Sequence, residues 1–243
     1  LVGPYIYTSG PKIDGPDARW AGSLEVSSEQ DVDKALDSLQ SLNVDFVKLY
    51  DSKLSEEMYL YLLEECKKRG LKVSGHMPFT VMLQDAIDRE VTSIEHLYYV
   101  LKGCSSKEEE ITDKIRKGEL GFWDSMALLI ASYDDSIADV RMQKMKEAGV
   151  FVVPTLHIGN ILSYLDQTDE SVFHGLQYIG PGIQKTYEGR VNSAKRADST
   201  AIENRHQLHQ TFRKLALKLQ QSGVILLAGS DGGAYNSYVY PGF

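Results

Sequence analysis

No uninterrupted apolar stretch in the chain approaches the roughly 18 residues that a membrane-spanning helix needs. An integral membrane protein is therefore not expected. Cysteine is scarce: Cys66 and Cys104 are the only two, they lie far apart, and they form no CxxC. That excludes a disulfide framework and leaves the redox compartment open. Positive charge is also in deficit, with 26 Lys and Arg against 34 Asp and Glu, a net charge of −8 at pH 7. Such a surface field repels nucleic acid and anionic lipid, and the basic cluster Lys67, Lys68 and Arg69 reads as a solvated helix face. Neither GxGxxG nor GxxxxGK[ST] occurs, which weakens a nucleotide-binding reading. The chain also lacks an initiator Met, a charged leader and a terminal helix: it opens on "LVGPYIYTSG" and stops at "YVYPGF". Both ends read as cut from something longer, and any export signal would precede Leu1, so a cytoplasmic and an exported protein are equally compatible.

What is present is globular. With 42% hydrophobic and 25% charged residues over 243 positions, one domain spanning 1–243 is the expectation. Six runs rich in β-branched and aliphatic residues stand out: "GPYIYTSG", "DFVKLYD", "LKVSGHM", "TSIEHLY", "VFVVPTL" and "VILLAGSD". Nearly continuous apolar runs suit parallel strands buried on both faces. Helical patterns alternate with them. "SEEMYLYLLEECKKRG" opens on Ser55 as N-cap, carries acids in its first turn and bases in its last, and stops at Gly70. "VMLQDAIDREV" and "RMQKMKEAGV" repeat the arrangement. A β-α-β-α order implies a parallel sheet, doubly wound or closed as a (β/α)8 barrel. Residues 103–139 and 157–223, the latter with a helix from about Val191 to Gln221, are longer than such units need. Long βα connections build sites in these folds, and here they are expected to roof one.

The strand ends carry ligand-type side chains. Lys48 closes "DFVK", His76 closes "KVSGH", His96 closes "SIEH" and Asp231 closes "LLAGSD". In a parallel barrel these ends open on one face, so the residues can converge. Two imidazoles and a carboxylate suit Zn²⁺ or a similar divalent ion and leave coordination positions for water. An unmodified lysine would repel a metal, whereas its carbamate, formed with CO₂, is an anionic oxygen ligand able to bridge two ions.

"VKLY", "SGHMP", "SIEHL", "VVPTL" and "LLAGSD", in this order and spacing, resemble the amidohydrolase superfamily, particularly its imidazolonepropionase-like and Xaa-Pro dipeptidase-like branch. The resemblance covers almost the whole chain. It implies a metal-dependent hydrolase barrel of the TIM type, here running from about the third strand to the eighth. It also implies a carboxylated Lys48 bridging one or two divalent ions, His76 and His96 as further ligands, and Asp231 as both ligand and proton acceptor and donor. Hydrolysis of a C–N bond in a small molecule or short peptide would follow, with a dipeptide or acylamino acid preferred. The family's HxH pair, two further ligands, has no counterpart anywhere in the sequence, and its first two strands would lie before Leu1. Position assigns His157, after "VVPTL", and Tyr98, after His96, to substrate binding.

Other readings compete. Lys48 could form a Schiff base in an aldolase-like barrel, and "GSDGG" could be an anion-binding nest in a non-catalytic domain. His206 and His209 in "RHQLHQ" read as a solvated or loop-packing face, Cys66 as an ordinary helix residue, and Tyr50, Tyr98 and Tyr99 as packing aromatics at the barrel mouth. No motif surrounds His174. Assembly of several identical copies is compatible with all of this.

Overall fold

A computed structural model of the chain describes residues 3–167 and 180–231. His174 and the glycines that follow Asp231 lie outside these residues. The chain groups into two compact units, one of Leu1–Val153 with Leu219–Leu226, the other of Pro154–Lys218 with Leu227–Phe243.

The first unit holds a parallel sheet. Its strands are β1 (Ile13–Asp14), β2 (Leu24–Glu25), β3 (Val47–Leu49), β4 (Val73–Gly75), β5 (Ser93–Glu95) and β6 (Phe151–Val153), ordered β2-β1-β3-β4-β5-β6 among the described residues. Helix α1 (Glu29–Ser41) precedes β3, α2 (Glu56–Lys68) precedes β4 and α3 (Leu83–Asp88) precedes β5. Between β5 and β6 come α4 (Tyr98–Gly103), α5 (Glu108–Arg116), α6 (Phe122–Ala131) and α7 (Asp135–Glu147). The caps follow the sequence. The Ser55 hydroxyl accepts from the Met58 N–H at 3.2 Å, and α2 ends before Gly70 at φ +69°.

Strand register explains which residues reach the core. Val47 pairs with Val73, Lys48 with Ser74, Leu49 with Gly75, and Ser74 with Ser93. Alternation along each strand therefore puts Val47, Leu49, Val73, Ile94 and Val152 on one face, all buried. Helical residues Leu36, Leu39, Leu62 and Leu63 are buried as well. The opposite face carries Lys48, Ser74, Ser93 and Glu95. The expectation of strands apolar on both faces thus fails for β3, β4 and β5, where V-K-L, V-S-G and S-I-E alternate. The polar face is the one that makes a site.

Two strand expectations need correction. "GPYIYTSG" is not a strand, and Tyr5, Ile6 and Tyr7 are 79%, 74% and 73% exposed. Its composition suits a pleat, but β preference is realised only against a neighbouring strand, and the pairing position is taken by Ile13–Asp14. In "VILLAGSD" only Leu226 bridges to the sheet, opposite Val152.

Asp14 explains how β1 is anchored. Buried and overlooked by motif reading, its Oδ1 accepts the N–H groups of Gly15, Lys53 and Leu54 at 2.8, 2.9 and 3.0 Å, while Oδ2 accepts the Ser52 hydroxyl. One carboxylate thereby satisfies the turn that follows β3. The connection between β5 and α7 is fixed similarly: fully buried Lys102 donates from Nζ to the Val81 carbonyl at 2.7 Å and to the Thr112 hydroxyl at 2.9 Å. Burial, its largest influence, pulls Lys102 down to about 8.

The second unit is helical in its described part. It contains α8 (Leu156–Ser163), a 3₁₀ turn (Leu165–Gln167), α9 (Pro181–Lys195) and most of α10 (Ser199–Gln221). The single helix expected from Val191 to Gln221 is broken before Ser199, where the Asp198 carboxylate caps the Ala201 N–H at 2.8 Å. Leu165, Tyr187, Val191 and Ala194 form its core. The histidines of "RHQLHQ" pack as expected. His206 lies 3.1 Å from Asp166 and stacks on Tyr164, while His209 is buried edge-on to the same ring.

Candidate metal centre

His76 follows β4 directly, on the polar face two residues beyond Ser74, and its N–H donates to the Leu49 carbonyl at 3.1 Å. Glu95 ends β5 on the same face, two residues beyond Ser93. Continued alternation would turn His96 to the apolar side. Instead His96 adopts φ +67°, a left-handed backbone in which non-glycine residues are uncommon, and its ring returns towards His76. The two Nε2 atoms lie 3.1 Å apart. The same device recurs at the other motif ends: Thr155 stands at φ +46° and Asp231 at φ +51°.

His76, Glu95 and His96 each offer one ligand atom within 4.8 Å of the others. Burial, reinforced by the charges of His96, Lys48 and Lys12, holds His76 well below the ordinary imidazole range. Its ring is thus neutral at pH 7, the form that donates a lone pair to a metal. His76 Nδ1 is buried without a hydrogen-bond partner among the described residues and lies 3.8 Å from Glu95 Oε2. Tetrahedral zinc with Zn–N bonds of about 2.0–2.1 Å places two nitrogens roughly 3.3 Å apart. The two Nε2 atoms at 3.1 Å therefore have the spacing of two ligands on one divalent cation, while Glu95 lies by the other His76 nitrogen, Nδ1.

Lys48, on β3 beside this cluster, pairs with Glu95 through Nζ and Oε2. Glu95 Oε1 lies 3.5 Å from the Ser74 hydroxyl, which accepts from Ser93 at 2.7 Å. Aromatic rings form the wall. Tyr50 stands 4.4 Å from the His76 ring and Tyr98 stands 6.2 Å from His96. Tyr98 contacts Phe122 and Trp123 of α6, at 5.2 and 5.8 Å between centroids. The long 103–139 connection thereby supplies part of the rim. Lys12 sits over Trp20 and Tyr50 at 4.8 and 5.0 Å.

The sequence-predicted residues divide accordingly. Lys48, His76, His96 and Tyr98 come together in the first unit. Asp231, exposed, and His157, partly buried on α8, belong to the second. Glu95 was missed although it stands inside "SIEH". A period-two count from Ser93 would have placed it on the ligand face.

Behind Tyr50, the Tyr99 hydroxyl donates to Asp51 Oδ2 at 2.8 Å. Burial, its largest influence, raises Asp51 from 3.8 to about 6. An unfolded chain therefore ionises Asp51 at lower pH than the folded one does, so stability is lost as pH rises through this window and stays low above it. Asp51→Asn keeps an acceptor for Tyr99 and removes the charge. The variant should gain on the wild type by up to about 3 kcal/mol as pH rises from 4 to 7, measured by urea unfolding. A difference independent of pH would show that Asp51 ionises normally in the folded chain.

The fold is thus a parallel sheet with ligand-type side chains at adjacent strand ends. The chain shares that fold with a bottromycin amidohydrolase, at a TM-score of 0.70 and 23% identity over 97% of this chain and 48% of that one. It is also similar to a Xaa-Pro dipeptidase with methionine bound in its active site, at a TM-score of 0.50, 18% identity, and 98% and 50% coverage. For a prolidase complexed with N-methylphosphonate-L-proline the values are 0.52, 15%, 95% and 49%. The chain spans about half the length of these structures. No family model and no curated protein matches the sequence.

Proposed function

We propose that this chain is the catalytic part of a metal-dependent hydrolase that cleaves a C–N bond in a dipeptide or acylamino acid. The observation that carries the reading is the His76–Glu95–His96 donor set at adjacent parallel strand ends, in a fold shared with amidohydrolases. The similarity to a Xaa-Pro dipeptidase and to a prolidase holding a proline phosphonate supports short peptides as the substrate class.

His76 and His96 would hold the ion, preferably Zn²⁺. When bound, such an ion polarises a carbonyl and lowers the pKa of water from 15.7 to about 7. The chain's own residues do the rest. Neutral His76 has its lone pair available without first losing a proton. Tyr98, with Phe122 and Trp123 against it, shields the histidines from bulk water on one side and offers a hydroxyl to a substrate oxygen. From their sequence motifs we assign Asp231 the proton acceptor role, returning the proton to the leaving nitrogen, and His157 a hydrogen bond to substrate. One catalytic domain spanning 1–243 is part of the same proposal. A Schiff-base role for Lys48 is less well supported, because its Nζ pairs with Glu95 and the histidines would have no function. Among the described residues no helix is long and apolar enough to cross a membrane.

The test is hydrolysis of a panel of Xaa-Pro dipeptides and N-acyl amino acids by chelator-stripped protein, with and without added Zn²⁺. Amine release that appears only with metal and is diminished in Asp231→Asn is expected. No hydrolysis of any member with any divalent ion would end the proposal.

A further inference from the structure

Lys12 reaches the wall of the site from β1, on the flank away from His96. The Lys12 carbonyl accepts the Leu24 N–H at 2.8 Å, and the pairing of Ile13 with Leu49 sets Lys12, one residue earlier, level with Lys48. Ile13 and Leu49 are buried with the apolar face, so alternation turns Lys12 to the polar face that carries His76. Its Nζ lies over the rings of Trp20 and Tyr50 and makes no ion pair or hydrogen bond among the described residues. The neighbouring carboxylates are engaged elsewhere. Asp14 accepts three backbone N–H groups and the Ser52 hydroxyl, and Glu95 pairs with Lys48. In a chain of net charge −8, this ammonium is left without a carboxylate of the chain's own.

We propose that Lys12 anchors the free carboxylate of the substrate, which confines cleavage to the bond one residue from a C-terminus. The inference rests on the hydrolase reading above and narrows its substrate class.

The spacing supports the assignment. Nζ stands 5.0 Å from the Tyr50 ring, and that ring stands 4.4 Å from His76. In a dipeptide or acylamino acid the carboxylate carbon is three bonds from the scissile carbonyl carbon, within about 4 Å of it. A carbonyl drawn to the His76–His96 pair therefore leaves its carboxylate within reach of an ammonium one ring away. A longer peptide puts a neutral amide there and forfeits the charge. The opposite flank is of another kind: beyond His96 stand Tyr98, Phe122 and Trp123, uncharged rings suited to the acyl portion. The rings under Lys12 hold its ammonium in place before a ligand arrives, which reduces the ordering cost of binding.

The experiment titrates the chelator-stripped 243-residue chain with N-acetyl-L-proline and with N-acetyl-L-prolinamide, which differ in the carboxylate alone. Stripping the metal removes it as a competing carboxylate partner. Trp20 emission reports binding, in a Trp123→Phe background that leaves one indole. Wild-type Lys12 should bind the acid about tenfold or more tightly than the amide, the scale of a hydrogen bond between charged groups. Lys12→Met keeps the apolar stem over the rings and should bind acid and amide alike, while Lys12→Arg should restore the preference. Circular dichroism and urea midpoints check that each variant folds. Equal binding of acid and amide by Lys12, no binding of the acid, or a preference that survives Lys12→Met would overturn the inference. The same pair is then offered to the zinc-loaded chain. Hydrolysis of both at equal rates would sink this inference and leave the hydrolase reading standing. A Lys12-dependent preference for the acid without hydrolysis would do the reverse, leaving Lys12 as a carboxylate anchor.

Discussion

A chain carrying both His76→Ala and His96→Ala should retain no zinc after gel filtration and should lose hydrolysis by a factor on the order of 10³ or more. The magnitude follows from what the ligands make available, since without a metal the pKa of the attacking water returns from about 7 to 15.7. It also follows from the local geometry. With the two Nε2 atoms 3.1 Å apart, removing one imidazole leaves the other beside Glu95 and Lys48, a set too small to hold an ion firmly. Removing both leaves a single carboxylate already paired with an amine. Thermal unfolding offers a second readout. An ion that binds only the folded state stabilises it by RT ln(1 + [M]/Kd), about 4 kcal/mol at a thousandfold excess over Kd. Zinc should therefore raise the midpoint of the wild type progressively and leave that of the double variant unmoved. Equal zinc retention by the two proteins would remove the histidines from the site.

Gly75→Ala should cost at least about 3 kcal/mol, a large part of the 5–15 kcal/mol typical of a folded domain. Gly75 stands at φ +135°, a conformation essentially confined to glycine, and an added Cβ would lie 2.2 Å from the Leu49 carbonyl oxygen. That oxygen cannot retreat, because it accepts the His76 N–H at 3.1 Å across the β3–β4 register. The strain would thus fall on the two strands that present Lys48 and His76. Gly118→Ala is the control. Gly118 also has a positive φ, +71°, yet nothing lies within 4 Å of its added Cβ, so only backbone strain of about 1 kcal/mol is expected. Urea midpoints for the two variants check the contrast. Equal midpoints would mean that the close approach to Leu49 does not exist.

Much of this molecule is legible without a structure wherever the deciding interaction is local. Ser55 and Gly70 bound α2 because a cap hydroxyl and a positive-φ glycine act within one turn. The strand cores around Val47, Val73, Ile94 and Val152 follow from short apolar runs, and His76 and His96 stand where those runs stop. His206 and His209 stand on one face of α10 and meet Asp166 and Tyr164, a loop-packing arrangement that their three-residue spacing on a helix suggests.

Errors arose where a partner remote in sequence decides the outcome. "GPYIYTSG" has strand composition but no strand beside it, while Ile13, in a less obvious segment, pairs with both β2 and β3. Asp14 gave no motif, since its partners at Lys53 and Leu54 are about 40 residues away. Asp198 was a local N-cap signal that the apparent continuity of the helical pattern concealed.

By itself the sequence determined the βα alternation, the helix caps and the identity of the ligand-type residues at the strand ends, because all of these rest on short-range periodicity and on chemistry held within single residues. Tertiary structure alone decided which of those residues meet. The β3–β4–β5 register aligned Lys48, Ser74 and Ser93 and carried Glu95 onto the same face. The left-handed turn at His96 brought its ring to 3.1 Å from His76, and the pairing of Lys48 with Glu95 gave the lysine its carboxylate partner. Register and side-chain facing are set by the packing of strands distant in sequence, and a shift of one residue would turn each of these groups to the opposite side of the sheet.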